Sequence, residues 1–282
     1  MVRLNTTYWQ YGLSSDLGTD KNVNEDKVFI RLGEDSIGRK FLLSMIADGL
    51  SGHDDGELAS KAAVEEVKKW WDKRIYELLK LSNAMEQIEE ELDDVFHQIN
   101  EMLIEIGEKE NKKVGTTLSL LFLIDNNYLV VHIGDTRIHY IRKKHVEPVN
   151  RYSLEFNQIT EDHKNPGENV LLQCLGINSE LSVYKRQGTY KTGDIFLLTT
   201  DGMHNAMTTF NFVTIFYAFY KVRDLQRMSD LLVDLVRKLG AKEDDVSTIL
   251  IRRAYISIGI FRKIFNTIAT IVTKIYVYTN NP

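Results

Sequence analysis

Two long amphipathic runs placed back to back, with blocks of short apolar strands on either side, constrain this chain most. The first run, about Gly56 to Leu81, puts Leu58, Ala62, Val67, Trp71, Ile75 and Leu78 on one face. The second, about Ala84 to Lys109, does the same with Met85, Ile88, Leu92, Val95, Ile99, Met102, Leu103 and Ile106. Apolar residues three and four apart mark amphipathic helices. Thr6–Leu13, Lys27–Leu32 and Phe41–Ala47 read as strands before the helical pair. After it come Thr117–Ile124 and Tyr128–Ile133, joined by the turn residues Asp125, Asn126 and Asn127. Arg137–Arg142, Leu181–Tyr190 and Ile195–Thr200 follow as strands, then one or two helices within Phe212–Leu239, and a closing strand, Val246–Arg252. Helices segregated from strands imply an α+β fold rather than a βαβ alternation. Two antiparallel sheets flanked by helix pairs fit the count.

A hydrophobic share of 43% and a net charge of −5 place the chain among folded soluble proteins and exclude disordered and disulfide-scaffold classes. The acidic balance argues against nucleic acid as a partner, since that surface needs a basic face. The single cysteine, Cys174, cannot form an intrachain disulfide, which suits a reducing, cytoplasmic setting. Neither a signal-peptide pattern nor a membrane-length apolar run is found. Residues 1–253 read as one domain and residues 254–282 as a C-terminal amphipathic tail.

Acids recur at the ends of apolar strands, where a charge is costly unless something pairs with it. Asp48 and Gly49 end Phe41–Ala47, Asp201 and Gly202 end Ile195–Thr200, and Asp135 follows Val130–Gly134. Glu25 and Asp26 immediately precede Lys27–Leu32, and Asp244 and Asp245 precede Val246–Arg252. Turn formation by Asp and Gly explains any one of these. Taken together, convergence on a common cation explains them better. Carboxylates, a backbone carbonyl and water suit hard ions such as Mg²⁺ or Mn²⁺. Zinc is disfavoured by one Cys and the absence of His-x-x-x-His spacing.

These segments, in order, resemble the metal-dependent serine/threonine protein phosphatases of the protein phosphatase 2C type, bacterial members above all. The resemblance runs through Ser15–Asp26, Ala47–His53 with Gly56–Ser60, Gly115-Thr116-Thr117, Gly134-Asp135-Thr136-Arg137, Thr160-Glu161-Asp162-His163, Thr192–Met203 and Asp244–Ser247. It implies a four-layer αββα sandwich with two Mn²⁺ or Mg²⁺ ions between the sheets, and a metal-bridging hydroxide that hydrolyses phosphoserine and phosphothreonine. By this resemblance Asp48 bridges the metals, the Gly49 carbonyl binds one, and Asp201 and Asp244 bind the other. Glu25 and Asp26 hold metal-bound waters, Asp135 serves a weaker third metal, and Lys21 stands where relatives have a phosphate-binding Arg. Phosphorylated proteins, substrates of a serine/threonine kinase, are the implied partners.

Three departures bear on substrate handling. Lys21 keeps the charge but loses the bidentate fork, Ser51 replaces a loop glycine, and Asp245 replaces an Asn. The stretch between His163 and Leu171 is also shorter than the flap of typical relatives. These departures keep open an alternative: a catalytically weak phosphoprotein-binding module of the same fold. A hydrolase of small phosphoesters is a further option. His53 reads as structural, His132 and His139 as packed or surface residues, and Arg142-Lys143-Lys144-His145 as a solvated hairpin end. In the tail, Ile260, Phe261, Ile264, Phe265, Ile268, Ile271, Val272 and Ile275 share a face opposite Arg262, Lys263 and Lys274. That pattern suits peripheral contact with an anionic membrane or docking on the domain or a partner.

Overall fold

The computed structural model describes residues 7–50, 55–146, 151–165, 170–207, 209–219, 224–241 and 243–255. Ser51, Gly52, His53 and the tail beyond Tyr255 lie outside the described residues.

Strands β1 (Thr7–Asp16), β2 (Lys27–Glu34) and β3 (Lys40–Ala47) precede helices α1 (Asp55–Leu78) and α2 (Ala84–Glu110). Next come β4 (Leu118–Ile124), β5 (Asn127–Ile133), β6 (Arg137–Val146), β7 (Arg151–Gln158), β8 (Tyr184–Thr189) and β9 (Ile195–Thr199). Helices α3 (Asp201–His204), α4 (Thr209–Phe219) and α5 (Leu225–Lys238) lead into β10 (Val246–Tyr255). One sheet has the order β1-β10-β9-β6-β7 and the other β2-β3-β4-β5-β8, with every pairing antiparallel. Three apolar layers hold the stack together. Phe41, Trp71, Phe96 and Phe122 lie between α1–α2 and one sheet. Leu42, Leu121, Phe196 and Ile249 lie between the sheets. Phe212, Phe216, Met228 and Leu250 lie under α4 and α5. The fold is the αββα sandwich expected from the sequence.

Four particulars differ from the sequence reading. Leu58 is 41% exposed, and Ala59 and Ala63 take the buried face of α1 beside Val67 and Trp71. β7 was not expected, and β8 is shorter than the run Leu181–Tyr190. Arg142 is no part of a solvated hairpin end: its guanidinium donates to Asp194 at 2.8 Å and stacks on Tyr140. The turn Gly134–Thr136 carries the chain from one sheet to the other. Gly134 takes a left-handed φ of 106° there, and a Cβ would lie 2.5 Å from Thr117.

Candidate active site

At one edge of the sandwich the strand ends gather their acids. Asp48 continues β3, where its N–H donates to Thr117 Oγ1 at 2.9 Å and its carbonyl accepts from the Thr117 N–H at 2.9 Å. The next residue, Gly49, packs so tightly on Gly56 that a Cβ would lie 2.2 Å from the Gly56 oxygen. Its N–H donates to the Glu25 carbonyl at 3.2 Å, tying the end of β3 to the segment before β2. Asp201 opens α3. Gly202 lets that turn settle on the Asp244–Asp245 turn, since a Cβ would lie 2.1 Å from the Asp245 oxygen. Small residues at these two crossings bring four separate strand ends into one place.

The charges of Asp26, Asp201, Asp244 and Asp135 all act on Asp48, and those of Asp244 and Asp135 on Asp201. Burial, followed by these neighbours, pushes the Asp48 carboxyl well above the usual carboxylate range. Burial raises Asp26 to about 7, against the hydrogen bond it accepts from the Thr200 hydroxyl at 3.0 Å. Burial and Asp244 raise Asp201 to about 7. Burial works the same way on Asp244, but the Lys21 ammonium holds it below the usual range. Carboxylates that act on one another in a buried site need a shared proton or a cation among them.

Lys21 closes one side of this ring. Its ammonium stands 2.9 Å from Asp244, 3.1 Å from Glu25 and 3.2 Å from Asp245. Burial alone would lower its pKa, but the Asp244 and Glu25 contacts hold it above the ordinary lysine value. Asp245, which the sequence marked only as an added charge, is the anchor of the loop. Its buried carboxylate accepts the Gly18 N–H at 2.9 Å and the Glu25 N–H at 2.8 Å.

Asp135 sits at the sheet-crossing turn and pairs with Lys164 at 3.2 Å. Arg137, two residues along the chain, donates instead to Asp162 at 2.6 Å. Lys164 was missed by sequence reasoning, although it directly follows the segment Thr160–His163. His132 and His139 are packed, as expected. His132 is held neutral, with Nε2 donating to the Glu161 carbonyl at 3.0 Å and Nδ1 accepting from Ser119 at 2.7 Å.

The donor set suits a hard divalent cation. It is all oxygen, and one carboxylate oxygen of Asp26 (Oδ1) and one of Asp201 (Oδ1) are buried without a hydrogen-bond partner. As they stand, no three acids or histidines among the described residues are drawn tightly enough to enclose an ion. The fit rests on the donor chemistry and on the two orphaned oxygens.

A family model described as protein phosphatase 2C matches residues 19–237, a span that takes in Lys21, Glu25, Asp26, Asp48, Asp135 and Asp201. The chain belongs to the protein phosphatase 2C family. Within that family it is 26% identical to protein phosphatase PhpP of Streptococcus pneumoniae, over 71% of this chain and 80% of the relative. It is 25% identical to serine/threonine phosphatase stp of Listeria monocytogenes, over 85% and 94%. Among solved structures, the S. agalactiae serine/threonine phosphatase superposes with a TM-score of 0.71 at 22% identity, covering 87% of this chain and 99% of that one. The catalytic domain of PstP, solved in complex with two manganese ions, gives a TM-score of 0.66 at 24% identity, covering 88% and 100%. At these identities the two structures speak for the 2C fold, which the two sheets and their helix pairs share.

Proposed function

We propose that this member of the protein phosphatase 2C family hydrolyses phosphoserine and phosphothreonine in proteins with divalent cations held by the carboxylate ring. The observation that carries this reading is a pair of buried carboxylate oxygens without a hydrogen-bond partner, Asp26 Oδ1 and Asp201 Oδ1, among the acids gathered from the strand ends. The names of the bacterial relatives and the two manganese ions of PstP support it. Asp48, the Gly49 carbonyl, Asp201 and Asp244 would hold two Mn²⁺ or Mg²⁺ ions, and Asp135 a third. When bound, such ions supply Lewis-acid charge to the phosphoryl oxygens and lower the pKa of the attacking water.

The chain's own groups do the rest. Asp26 and Glu25 are fixed by Thr200 and by the Asp245 anchor, so their carboxylates orient water at the ring. Lys21 offers a point charge to the substrate phosphate. No side-chain nucleophile is required: Cys174 is buried, and burial with the nearby Asp135 charge pushes its thiol up to about 11. Phosphorylated substrates of a serine/threonine kinase are the proposed partners, and the cytoplasm the proposed setting. Among the described residues no helix is long and apolar enough to cross a membrane.

One observation favours the second reading, a weakly catalytic phosphoprotein-binding module. Three carboxylates engage Lys21, which must exchange at least one of them for substrate phosphate. Phosphate release from matched phosphothreonine, phosphoserine and phosphotyrosine peptides in Mn²⁺ separates the readings. The phosphatase reading expects turnover of the first two and little of the third. Stoichiometric binding without turnover would establish the module instead.

A further inference from the structure

We propose that an exposed apolar lip made by Val170, Leu172 and Ile177, with Leu50 at its inner end, selects phosphoprotein substrates that carry an apolar side chain beside the phosphorylated residue. The inference rests on the phosphatase reading above and adds to it a class of substrate sequence.

The segment 170–177 is strung between the two turns that present acids. At one end the Leu172 N–H donates to the His163 carbonyl at 2.7 Å, and the His163 N–H donates to the Gly134 carbonyl at 2.8 Å, next to Asp135. At the other, Leu175 exchanges two backbone hydrogen bonds with Thr116, at 2.9 and 3.0 Å. The following residue, Thr117, donates its N–H to the Asp48 carbonyl. Cys174 and Leu175 are buried and anchor the segment, and the Asp135 charge reaches Cys174.

Three apolar side chains of the segment face solvent: Val170 is 62% exposed, Leu172 47% and Ile177 36%. Ile177 and Leu50 meet over Gly115, where a Cβ would lie 2.9 Å from each of them. Leu50 is two residues on from Asp48, so the lip begins at the acidic ring itself. Ile177 and Gly176 also line a groove of about 430 Å³ with Ile104, Lys112 and Lys113.

Apolar surface left open beside a charged site marks a place of contact. The occupant that reaches both is an extended polypeptide whose phosphorylated residue lies at the acids, because neighbouring residues of such a chain are only about 3.3 Å apart along it. A small phosphoester is too short to touch the lip. Coverage of part of an aliphatic side chain on an open surface corresponds to a preference of about five-fold in kcat/KM.

The test compares phosphothreonine peptides that differ only in a Leu or an Asp beside the phosphorylated residue, with p-nitrophenyl phosphate as the reference. The proposal expects about five-fold higher kcat/KM for the Leu peptide, a preference that falls to near unity in Leu172→Ser and in Ile177→Ser. Hydrolysis of p-nitrophenyl phosphate should be unchanged in both variants, which also reports that they are folded. Equal rates on the two peptides, or a preference untouched by both substitutions while p-nitrophenyl phosphate is turned over, would overturn the lip. Failure of the wild-type chain to hydrolyse either peptide or p-nitrophenyl phosphate would overturn the phosphatase reading itself.

Discussion

Lys21 and Asp245 are joined across the loop that runs from Gly18 to Asp26: the ammonium stands 3.2 Å from a carboxylate oxygen that also accepts the Glu25 N–H. One buried anion thus holds both the proposed phosphate-binding cation and an acid of the ring. The loop from Gly18 to Asp26 is placed by residues more than two hundred positions away.

Lys21→Ala should raise KM about ten-fold or more, the worth of a charge-assisted hydrogen bond. Lys21→Arg should be neutral or better, because a guanidinium can offer two parallel N–H bonds to phosphate. Steady-state kinetics on a phosphothreonine peptide checks both, and an unaltered KM in Lys21→Ala would leave Lys21 a structural counter-ion.

Asp135→Ala should lower turnover at limiting Mn²⁺, while tight Mn²⁺ binding measured by calorimetry persists. Lys164 is the competing explanation for this carboxylate, as its ion-pair partner at 3.2 Å. If Asp135 serves only that pair, Asp135→Ala will follow the wild-type Mn²⁺ titration throughout.

His139 provides a pH test outside the acidic ring. Burial, and secondarily Arg137, lowers its pKa to about 3, and its Nδ1 is buried without a partner. Above the unfolded value of about 6.5 the neutral ring carries no protonation penalty. As pH falls below that value the unfolded chain gains a proton that the folded chain refuses until about 3, so stability is lost across this window. In His139→Phe this loss disappears. Its stability relative to wild type, from urea unfolding, should grow by about 1.4 kcal/mol per pH unit below 6.5. A difference that does not change with pH would contradict the assignment.

Trp71→Ala should cost about 3–5 kcal/mol, since the indole is buried against Phe41 and Phe122. Leu58→Ala, on the same helix, should stay within about 0.5 kcal/mol because Leu58 lies outside the buried face. Denaturant unfolding of the two variants distinguishes the true core face of α1 from the one that spacing alone suggests.

That contrast shows where the sequence was legible. Periodicity found both helices of the first pair, but Leu58 fits the helical spacing as well as Ala59 does, and only the sheet beneath selects between them. β7 was hidden although Leu154 and Phe156 alternate. Apart from Tyr152 its other residues are polar, as an edge strand allows, and Leu154 and Phe156 serve the α4 layer. The acids at the strand ends were visible because charge beside an apolar run is costly. Their partners were not visible: Lys164 reaches Asp135 over 29 residues, and Arg142 reaches Asp194 over 52. Sheet crossing at Gly134–Thr136 brings the first pair together, and neighbouring strands β6 and β9 the second. The role of Asp245 depends on two backbone N–H groups, which no side-chain pattern records.

The carboxylate ring should do its chemistry only with divalent cations, which phosphate release from a phosphothreonine peptide measures. With Mn²⁺ or Mg²⁺ the wild-type chain should turn the peptide over. Excess EDTA should abolish the reaction, and Asp48→Asn should lower it by about three orders of magnitude or more even at saturating Mn²⁺. Undiminished turnover in EDTA, or an Asp48→Asn variant as fast as wild type, would contradict the account.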